Sequence, residues 1–351
     1  MDGRWQLVAG CFSRNPSTNK KTGAAWNVNQ KRIYSSADEL IAMEKNTLDA
    51  IAILTPTNSH IEWVIKALGN GYSVICEKAL ATSLLEAKDI LRACEGSGSL
   101  IAITYNYSGY PMVRELRQIV EEGDLGKINK IQIEMPQEAF LRESKTGERC
   151  TPQAWRLRDE NIPVISLDLG VHLHHLVYFL TGEVPLKVVG DTSSDGWFTD
   201  VVDDVSCLVK YSNKLRCQMW YSKSALGNRN GLKVRLFGDK GSATWHQANP
   251  EELQLNYADG QRTILERGGT CRVAEELRYN RFKAGHPAGF IEAFANLYAD
   301  IADKRIAQID NAAVEENKRF VYGAEHAVEG LSLFEALHRS IQSERWESLE
   351  H

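Results

Sequence analysis

A lysine at the end of an apolar run is the first candidate for chemistry in this chain. The run Gly71–Cys76 is typical of a buried strand, and Glu77 and Lys78 follow it directly. A charged side chain beside an apolar core is costly unless a partner compensates for it. Open α/β sheets bind ligands at the carboxyl ends of their strands. Lys78 is therefore placed to hydrogen-bond a substrate hydroxyl and to assist the loss of its proton during oxidation.

A carboxylate and an imidazole four residues apart, Asp168 and His172, form the second candidate group. Residues at this spacing lie on one face of a helix, so both side chains are predicted to point the same way. An acid and an imidazole on one face, together with a lysine from another part of the chain, can transfer a proton to or from a reacting alcohol. The alternative for Lys78 is an ordinary surface residue at the start of the next helix.

In their order along the chain, these segments resemble the Gfo/Idh/MocA family of NAD(P)-dependent oxidoreductases, named after glucose-fructose oxidoreductase and inositol dehydrogenase. The family has a Glu-Lys-Pro motif at the end of a strand and an Asp-x-x-x-His motif in its second domain. Glu77-Lys78 and Asp168 with His172 correspond to these motifs, although Ala79 replaces the usual proline and leaves the turn less constrained. The resemblance covers nearly the whole chain and includes Thr55–His60, Ala154–Arg156 and His286–Phe294.

The two ends of the chain depart from this resemblance. A dinucleotide-binding unit begins with a strand and a Gly-x-Gly-x-x-Gly turn that holds the pyrophosphate at a helix N-terminus. Here Leu7–Phe12 corresponds to the family's second strand, and no glycine triad precedes it. We therefore expect that the sequence omits a native segment of roughly 30 residues; a protein that naturally lacks the segment is the alternative. Leu349–His351 resembles the start of a vector-derived polyhistidine tag, so we expect residues 349–351 to be a tag remnant.

The resemblance implies a nicotinamide dinucleotide as cofactor. Ser13 and Arg14 stand in the turn where an acidic residue normally binds the adenosine ribose. A serine and a guanidinium suit a 2′-phosphate, which favours NADP over NAD, and a solvated loop charge is the alternative for Arg14. For His60 the alternative is a helix-start residue without a ligand. The other cofactor contacts that the resemblance implies are Thr55, Pro56, Asn58, His60, Glu77 and Lys78.

The resemblance also implies reversible hydride transfer between nicotinamide and a carbinol carbon of a sugar, polyol or cyclitol. His172 would be the general base, since its unperturbed pKa of roughly 6.5 suits proton exchange. Asp168 would bind substrate hydroxyls or orient the imidazole, and Lys78 would polarise the reacting oxygen. Specificity is expected to depend on the loops Gln137–Gln153 and Ser222–Asn230. The expected substrate residues are Tyr105, Tyr107, Trp155, Arg156 and His286, with ordinary packing as the alternative for the aromatic side chains.

Two other classes of function stay open from the sequence, and the first is a metal-dependent hydrolase. Histidine and carboxylate clusters bind zinc or iron, and Asp168, His172, His174 and His175 lie close together in the chain. In a helix His174 points about 200° away from His172, so the two cannot readily share an ion, and we predict no metal site. The second alternative is a sugar-binding or scaffold protein that has lost dinucleotide binding. Such a protein would have no chemical reason to keep Lys78 with Asp168 and His172.

Bulk composition narrows the choice of partners and compartment. A length of 351 residues suggests about two domains, and 43% hydrophobic residues can supply full cores. The net charge of -5 gives no electrostatic reason to expect a nucleic acid or an anionic membrane as partner. No apolar run approaches the roughly 20 residues of a membrane span. The 7 cysteines are scattered without a Cys-x-x-Cys pair, which indicates reduced thiols and a cytoplasmic protein.

The hydrophobic pattern divides the chain near residue 107. Before it, short apolar runs alternate with helical patterns, which predicts a parallel, Rossmann-like sheet. After it, strands with alternating polarity predict a large, mainly antiparallel sheet. The predicted fold class is α/β, with a truncated Rossmann-like domain over 1–107 and an α+β substrate and oligomerisation domain over 108–348. In the family the outer face of this sheet commonly pairs subunits, so the resemblance implies a homodimer or homotetramer. The main predicted strands of the second part are Lys127–Met135, Asp204–Tyr211, Leu215–Tyr221 and Leu232–Phe237.

Overall fold

The first part of the chain forms a small parallel sheet. The structure, a computed structural model, describes residues 3–283, 285–312 and 320–350. Val74, Ile75 and Cys76 are all buried, as expected for a strand covered on both faces. The three strands lie in the order β1-β2-β3, all parallel, and helices connect them in sequence as predicted. The elements are α1 (Pro16–Ala25), α2 (Ala37–Met43), β1 (Ala50–Ile53), α3 (His60–Gly69), β2 (Ser73–Cys76), α4 (Leu84–Ser97) and β3 (Ile101–Ile103).

The segment Leu7–Phe12, predicted to be a strand, makes only one bridge. The Gly10 N–H donates to the carbonyl of Arg32 at 3.0 Å, and the Gly10 carbonyl accepts from the N–H of Tyr34 at 2.9 Å. A short 3₁₀ turn over Gln30–Arg32 precedes this bridge, so the partner backbone is not extended long enough to continue a ladder. The prediction of a regular strand was therefore wrong, although the segment does run parallel to its neighbour at the bridge.

The second part of the chain is organised around a nine-stranded sheet. Its strand order is β11-β10-β9-β8-β4-β7-β6-β5-β12, and every neighbouring pair is antiparallel except β4 and β7. The predicted mainly antiparallel sheet is confirmed, and the four strands named above lie within one residue of their observed bounds. The strands are β4 (Ile128–Pro136), β5 (Pro185–Ser193), β6 (Asp204–Tyr211), β7 (Arg216–Ser222), β8 (Lys233–Gly238), β9 (Gly241–His246), β10 (Asn249–Tyr257), β11 (Arg262–Glu266) and β12 (Glu347–Ser348).

One face of this sheet is covered by helices and the other is open. Along β6 the side chains of Val205, Val209 and Tyr211 are buried, whereas Leu208 between them is 49% exposed. Alternate burial of this kind shows that only one face packs against the core. None of the helices within the described ranges is long and apolar enough to cross a membrane. The helices of this part are α5 (Pro111–Glu121), α6 (Val171–Thr181), α7 (Phe290–Ile309) and α8 (Ala324–Ser343).

The end of the chain packs back onto the sheet. Strand β12 pairs with β5, and the N–H of Leu349 donates to the carbonyl of Leu186 at 3.2 Å. Leu349 is only 7% exposed and joins the hydrophobic core. The predicted second domain ended at residue 348, and leaving residue 349 out of the fold was therefore wrong. The origin of residues 349–351 as a tag remnant stays a prediction, as does the domain boundary near residue 107, and His351 lies outside the described residues.

A buried ion pair connects α5 to α7. Its removal tests the packing of these two helices. The side chains of Arg114 and Asp300 are 0% and 1% exposed, and Arg114 Nη2 donates to Asp300 Oδ2 at 2.5 Å. The Arg114→Ala variant should lower the free energy of unfolding by about 3–5 kcal/mol, because it leaves a buried carboxylate with one cation fewer. Denaturation with guanidinium chloride, followed by circular dichroism, measures the change.

The matched control removes an exposed ion pair. Arg92 and Asp89 pair on the surface of α4, with side chains 69% and 38% exposed. Arg92→Ala should change the free energy of unfolding by less than about 1 kcal/mol, because water screens this pair. Equal losses in the two variants would contradict the assignment of Arg114 to the core.

Candidate active site

Three residues from two distant parts of the sequence meet at the carboxyl end of the parallel sheet. Lys78 lies just beyond β2, and its Nζ donates to Asp168 Oδ1 at 2.8 Å and to the Asp168 carbonyl at 2.7 Å. His172 lines the same cavity as these two residues. The structure thus brings together the three residues that the sequence analysis assigned to catalysis, and their roles stay a prediction.

The backbone that carries Asp168 is not a regular α-helix. Residues Ser166–Gly170 form a π turn, and the α-helix begins only at Val171. Hydrophobic periodicity cannot distinguish such a turn from the start of a helix, so a helix was expected throughout. Gly170 packs tightly there, since a Cβ at this position would lie 2.7 Å from the ring of Phe334. Turns of this type are frequent at functional sites.

Three cations surround the carboxylate of Asp168. Lys223 Nζ donates to Oδ2 at 2.6 Å and Arg156 Nε donates to Oδ2 at 3.3 Å, while Lys78 holds Oδ1. Burial by itself raises the pKa of Asp168, but the charges of Lys78, Lys223 and Arg156 outweigh it and hold this pKa well below its usual range. Asp168 is therefore an anion, and its oxygens act only as hydrogen-bond acceptors.

His172 is held in its neutral form. Its side chain is nearly buried, and Nδ1 has no hydrogen-bond partner in the part of the chain that the structure describes. Burial and the charge of Lys78 lower the pKa of His172 well below its usual range, against the opposing effect of Asp168. Tyr107 packs edge-on against the imidazole at a ring distance of 4.7 Å. A neutral imidazole facing a cavity can accept a proton.

The cavity in front of these groups has a volume of about 560 Å³. This size suits a small-molecule ligand. Its wall combines the charged groups with apolar side chains, which include Met135, Phe140, Leu169, Phe290 and Phe294. A surface of this kind can hold the apolar faces of a ring while a few polar groups orient its hydroxyls.

Only two of the five predicted substrate residues line this cavity, namely Tyr107 and Arg156. Tyr105 lies behind it, 4% exposed, with its ring stacked on His175 at 4.2 Å. Trp155 lies against the guanidinium of its neighbour Arg156. His286 is exposed, and its carbonyl accepts from Arg267. Tyr105, Trp155 and His286 are thus not in the cavity wall, because proximity in sequence to the motifs did not determine where their side chains point.

The predicted cofactor residues after β1 are partly accessible. Thr55, Pro56 and Asn58 are exposed, whereas His60 is fully buried. The ring nitrogens of His60 lie 2.8 Å from the carbonyl of Ala79 and 2.7 Å from that of Thr55. His60 therefore joins the loop after β1 to the turn after Lys78, with each ring nitrogen facing a backbone carbonyl.

The residues that line the cavity fit the nicotinamide half of a dinucleotide cofactor. Glu77 lines the cavity beside Lys78, at the strand end where ribose hydroxyls would need an acceptor. Ser13 and Arg14 lie in the exposed turn before α1, where the Ser13 hydroxyl accepts from the N–H of Asn15. Among the described residues no Gly-x-Gly-x-x-Gly turn joins a strand to a helix. The fit in the cavity is therefore to the nicotinamide and its ribose.

Lys223 is the site residue that the sequence analysis missed. It follows β7 directly, much as Lys78 follows β2 after Glu77, and its side chain is 5% exposed. A charged residue at the end of an alternating strand was the available signal. The parallel pairing of β7 with β4 was not predictable from local patterns. The sequence therefore did not show that the end of β7 lies at the candidate site. The loop Ser222–Asn230 had been identified only as a determinant of specificity.

Comparison with known proteins identifies the family. Residues 2–105 match the family described as "Oxidoreductase family, NAD-binding Rossmann fold", and residues 113–244 match the "GFO/IDH/MocA C-terminal domain". The chain belongs to the Gfo/Idh/MocA family. This Gfo/Idh/MocA protein is an oxidoreductase, and the predicted family, fold class and enzyme class are confirmed.

Individual relatives agree with this assignment. The "Uncharacterized oxidoreductase YfiI" of Bacillus subtilis is 27% identical over 311 residues, which cover 85% of this chain and 77% of the relative. An oxidoreductase structure from Sinorhizobium meliloti is 29% identical, covers 97% of this chain and 92% of its own, and has a TM-score of 0.83. An inositol dehydrogenase homolog from Azotobacter vinelandii, complexed with NADH and myo-inositol, shares the fold with 24% identity, coverage of 97% and 89%, and a TM-score of 0.87. The matches to the next two curated relatives span 63% and 67% of their lengths.

Removal of Lys223 should impair the site without unfolding the protein. The Lys223→Met variant keeps most of the side-chain volume but takes one cation from Asp168, so the carboxylate is held less firmly. We expect kcat/KM to fall by roughly 10- to 100-fold, in line with the loss of one charged hydrogen bond of about 1.5–3 kcal/mol. Nicotinamide absorbance follows the reaction. Lys240→Met, at the exposed β8–β9 turn, is the control, and an equal loss in both variants would contradict this role.

Proposed function

We propose that the protein transfers a hydride between nicotinamide and a carbinol carbon of a sugar, polyol or cyclitol. The observation that carries the proposal is the neutral imidazole of His172 beside the buried Lys78–Asp168 pair, in a cavity at the carboxyl end of the parallel sheet. A base and a cation are the groups that an alcohol needs in order to lose its proton, and a bound nicotinamide would accept the hydride.

In oxidation, Lys78 donates a hydrogen bond to the reacting hydroxyl and stabilises the negative charge that develops on its oxygen. His172 accepts the hydroxyl proton through a ring nitrogen. Asp168 accepts from a neighbouring hydroxyl and fixes the orientation of the carbon, while its cations keep it ionised. The bound cofactor supplies the hydride acceptor at nicotinamide C4. In reduction the protonated His172 returns the proton to the oxygen.

The substrate class rests on the lining of the cavity and on one structural relative. Polar groups that bind hydroxyls stand beside aromatic and aliphatic side chains, a combination that suits a ring with an apolar face. The Azotobacter vinelandii structure contains NADH with myo-inositol, a cyclic polyol. Both points support a sugar, polyol or cyclitol as substrate.

The acid limb of the pH profile tests the role of His172. A base with a lowered pKa stays neutral until the pH falls through that pKa, so kcat/KM for oxidation should be lost only below pH about 6.5, the ordinary value for histidine.

His172→Asn should lower kcat by about 10²–10⁴-fold while nicotinamide still binds, as followed by its fluorescence. An acid limb centred above the ordinary value would contradict the proposal. Polyol binding without any nicotinamide reduction by the wild type would favour the non-catalytic alternative.

We propose NADP as the preferred cofactor and NAD as the alternative. The support is the exposed guanidinium of Arg14 beside Ser13, because a guanidinium can pair with a phosphate through two hydrogen bonds. Arg14→Gln should raise KM for NADPH by about tenfold or more and leave KM for NADH unchanged. Initial rates with each cofactor measure the difference, with Arg92→Gln on the surface of α4 as control. An equal change for NADPH and NADH would show that Arg14 is an ordinary loop charge.

We further propose that the protein forms a homodimer or homotetramer through the open face of the nine-stranded sheet. This face presents Leu208, Phe237 and Ile264 at 49%, 38% and 59% exposure, and exposed apolar patches commonly mark interfaces. A single-chain mass by light scattering would refute it.

All seven cysteines are free thiols, which supports a reducing compartment, and we propose the cytoplasm.

A further inference from the structure

Buried polar atoms without partners are concentrated between α6 and α8. His174, His175 and His326 are 1%, 1% and 6% exposed, and the carboxylate of Glu329 lies beside them. Glu329 Oε1 approaches His174 Nε2 at 3.2 Å, but no aligned hydrogen bond joins them. Five atoms of this group lack a hydrogen-bond partner within the described ranges, and they are His174 Nδ1, His174 Nε2, His175 Nε2, His326 Nδ1 and Glu329 Oε1.

Such a group is unusual in a folded core. A buried polar atom without a partner loses its hydration and gains nothing in return, so native proteins keep few of them. Here the atoms lie in one cluster, and most are nitrogens of imidazole rings. A species that accepts several lone pairs at once would satisfy one atom each of His174, His326 and Glu329, and a metal cation is such a species.

We propose that His174, His326 and Glu329 bind one divalent transition-metal ion of the zinc class. One ligand atom from each of the three residues lies within 4.8 Å of the others. Two imidazoles and a carboxylate form a ligand set that is suited to zinc. His326 and Glu329 are three residues apart on α8 and therefore lie on the same face of this helix, while His174 faces them from α6.

The neighbouring His175 orients one of these ligands. Its Nδ1 lies 3.0 Å from Nε2 of His326. In the tautomer in which His326 Nε2–H donates to His175, the other nitrogen of His326 carries a lone pair. Histidines that bind metals usually donate their second ring N–H to an acceptor in this way.

Metal binding requires one local rearrangement. The rings of His174 and His326 are 5.0 Å apart and nearly parallel, with an angle of 14° between their planes. A metal lies in the plane of each imidazole that binds it, so one of the two rings must turn about its Cβ–Cγ bond. His174 is pressed against Gly330, where a Cβ would lie 2.9 Å from His174 Cδ2. The glycine therefore provides the space that the histidine occupies.

The site is separate from the cavity of the proposed reaction. None of the three ligands is in the wall of that cavity. His174 follows His172 by two residues on α6 and faces the opposite way, so the ion would attach the helix that carries His172 to α8. The prediction of no metal site considered Asp168 and His172 with His174 and His175, and sequence spacing could not show that α8 supplies the missing ligands.

Metal titration of the full chain tests the proposal. The protein, purified without a metal-affinity column and stripped with EDTA, is titrated with Zn²⁺ alone against a chromogenic chelator and with Co²⁺ alone by visible absorption. We expect one equivalent of each ion per chain, and a Co²⁺ spectrum of low coordination number. Zn²⁺ should also raise the midpoint of thermal unfolding.

Variants on α8 separate specific from adventitious binding. His326→Gln and Glu329→Gln should each lower the Zn²⁺ affinity by more than roughly 100-fold, beyond the loss typical of an outer-shell partner. His338→Gln, which removes another histidine of the same helix, should keep the wild-type affinity and the thermal shift. Absence of stoichiometric binding by the wild type, or equal binding by Glu329→Gln, would overturn the proposal.

If His326→Gln does not fold by circular dichroism, the wild-type Co²⁺ spectrum together with Glu329→Gln gives the answer, since that change is nearly isosteric. Nicotinamide turnover is not part of the measurement. Failure of the metal site would therefore leave the proposed hydride transfer untouched, and failure of the hydride transfer would leave the metal site untouched.

Discussion

The site depends on the ion pairs of one buried carboxylate. Lys78 belongs to the parallel sheet, Asp168 to the turn before α6, Lys223 to the end of β7 and Arg156 to the loop that precedes the turn. A buried charge is tolerated only when its partners are close and well aligned. Asp168 therefore brings four segments to one point, and the same requirement holds Lys78 beside His172, whose imidazole stays neutral in part because of that cation.

Local patterns in the sequence were sufficient for much of this arrangement. Alternating polarity predicted four strands of the nine-stranded sheet to within one residue, and the Asp168–His172 spacing with the strand-end Lys78 predicted the centre of the candidate site. These signals are local, because they depend on which face of a single strand or helix is buried. The π turn at Ser166–Gly170 could not be predicted from these signals. The period of hydrophobic residues does not show to which carbonyl each backbone N–H donates its hydrogen bond.

The features that were missed depend on contacts between distant segments. Lys223 enters the site because β7 runs parallel to β4, and Leu349 enters the core because β12 pairs with β5. Tyr105 was expected beside the substrate, yet its ring stacks on His175 in the buried histidine group. The expected strand at Leu7–Phe12 has a partner that is extended at only one point. Pairing and burial of this kind are settled by the whole fold, and no single segment encodes them.

The central claim is that the cavity at Lys78, Asp168 and His172 moves a hydride from carbon to nicotinamide. The most direct measurement incubates the protein with NADP or NAD and with carbon-deuterated polyols and sugars, beginning with perdeuterated myo-inositol, and analyses the reduced cofactor by mass spectrometry and NMR. The account predicts that one deuterium appears at nicotinamide C4 with the substrate that is oxidised. Reduced cofactor without the label, or no reduction with any sugar, polyol or cyclitol of the panel, would contradict it.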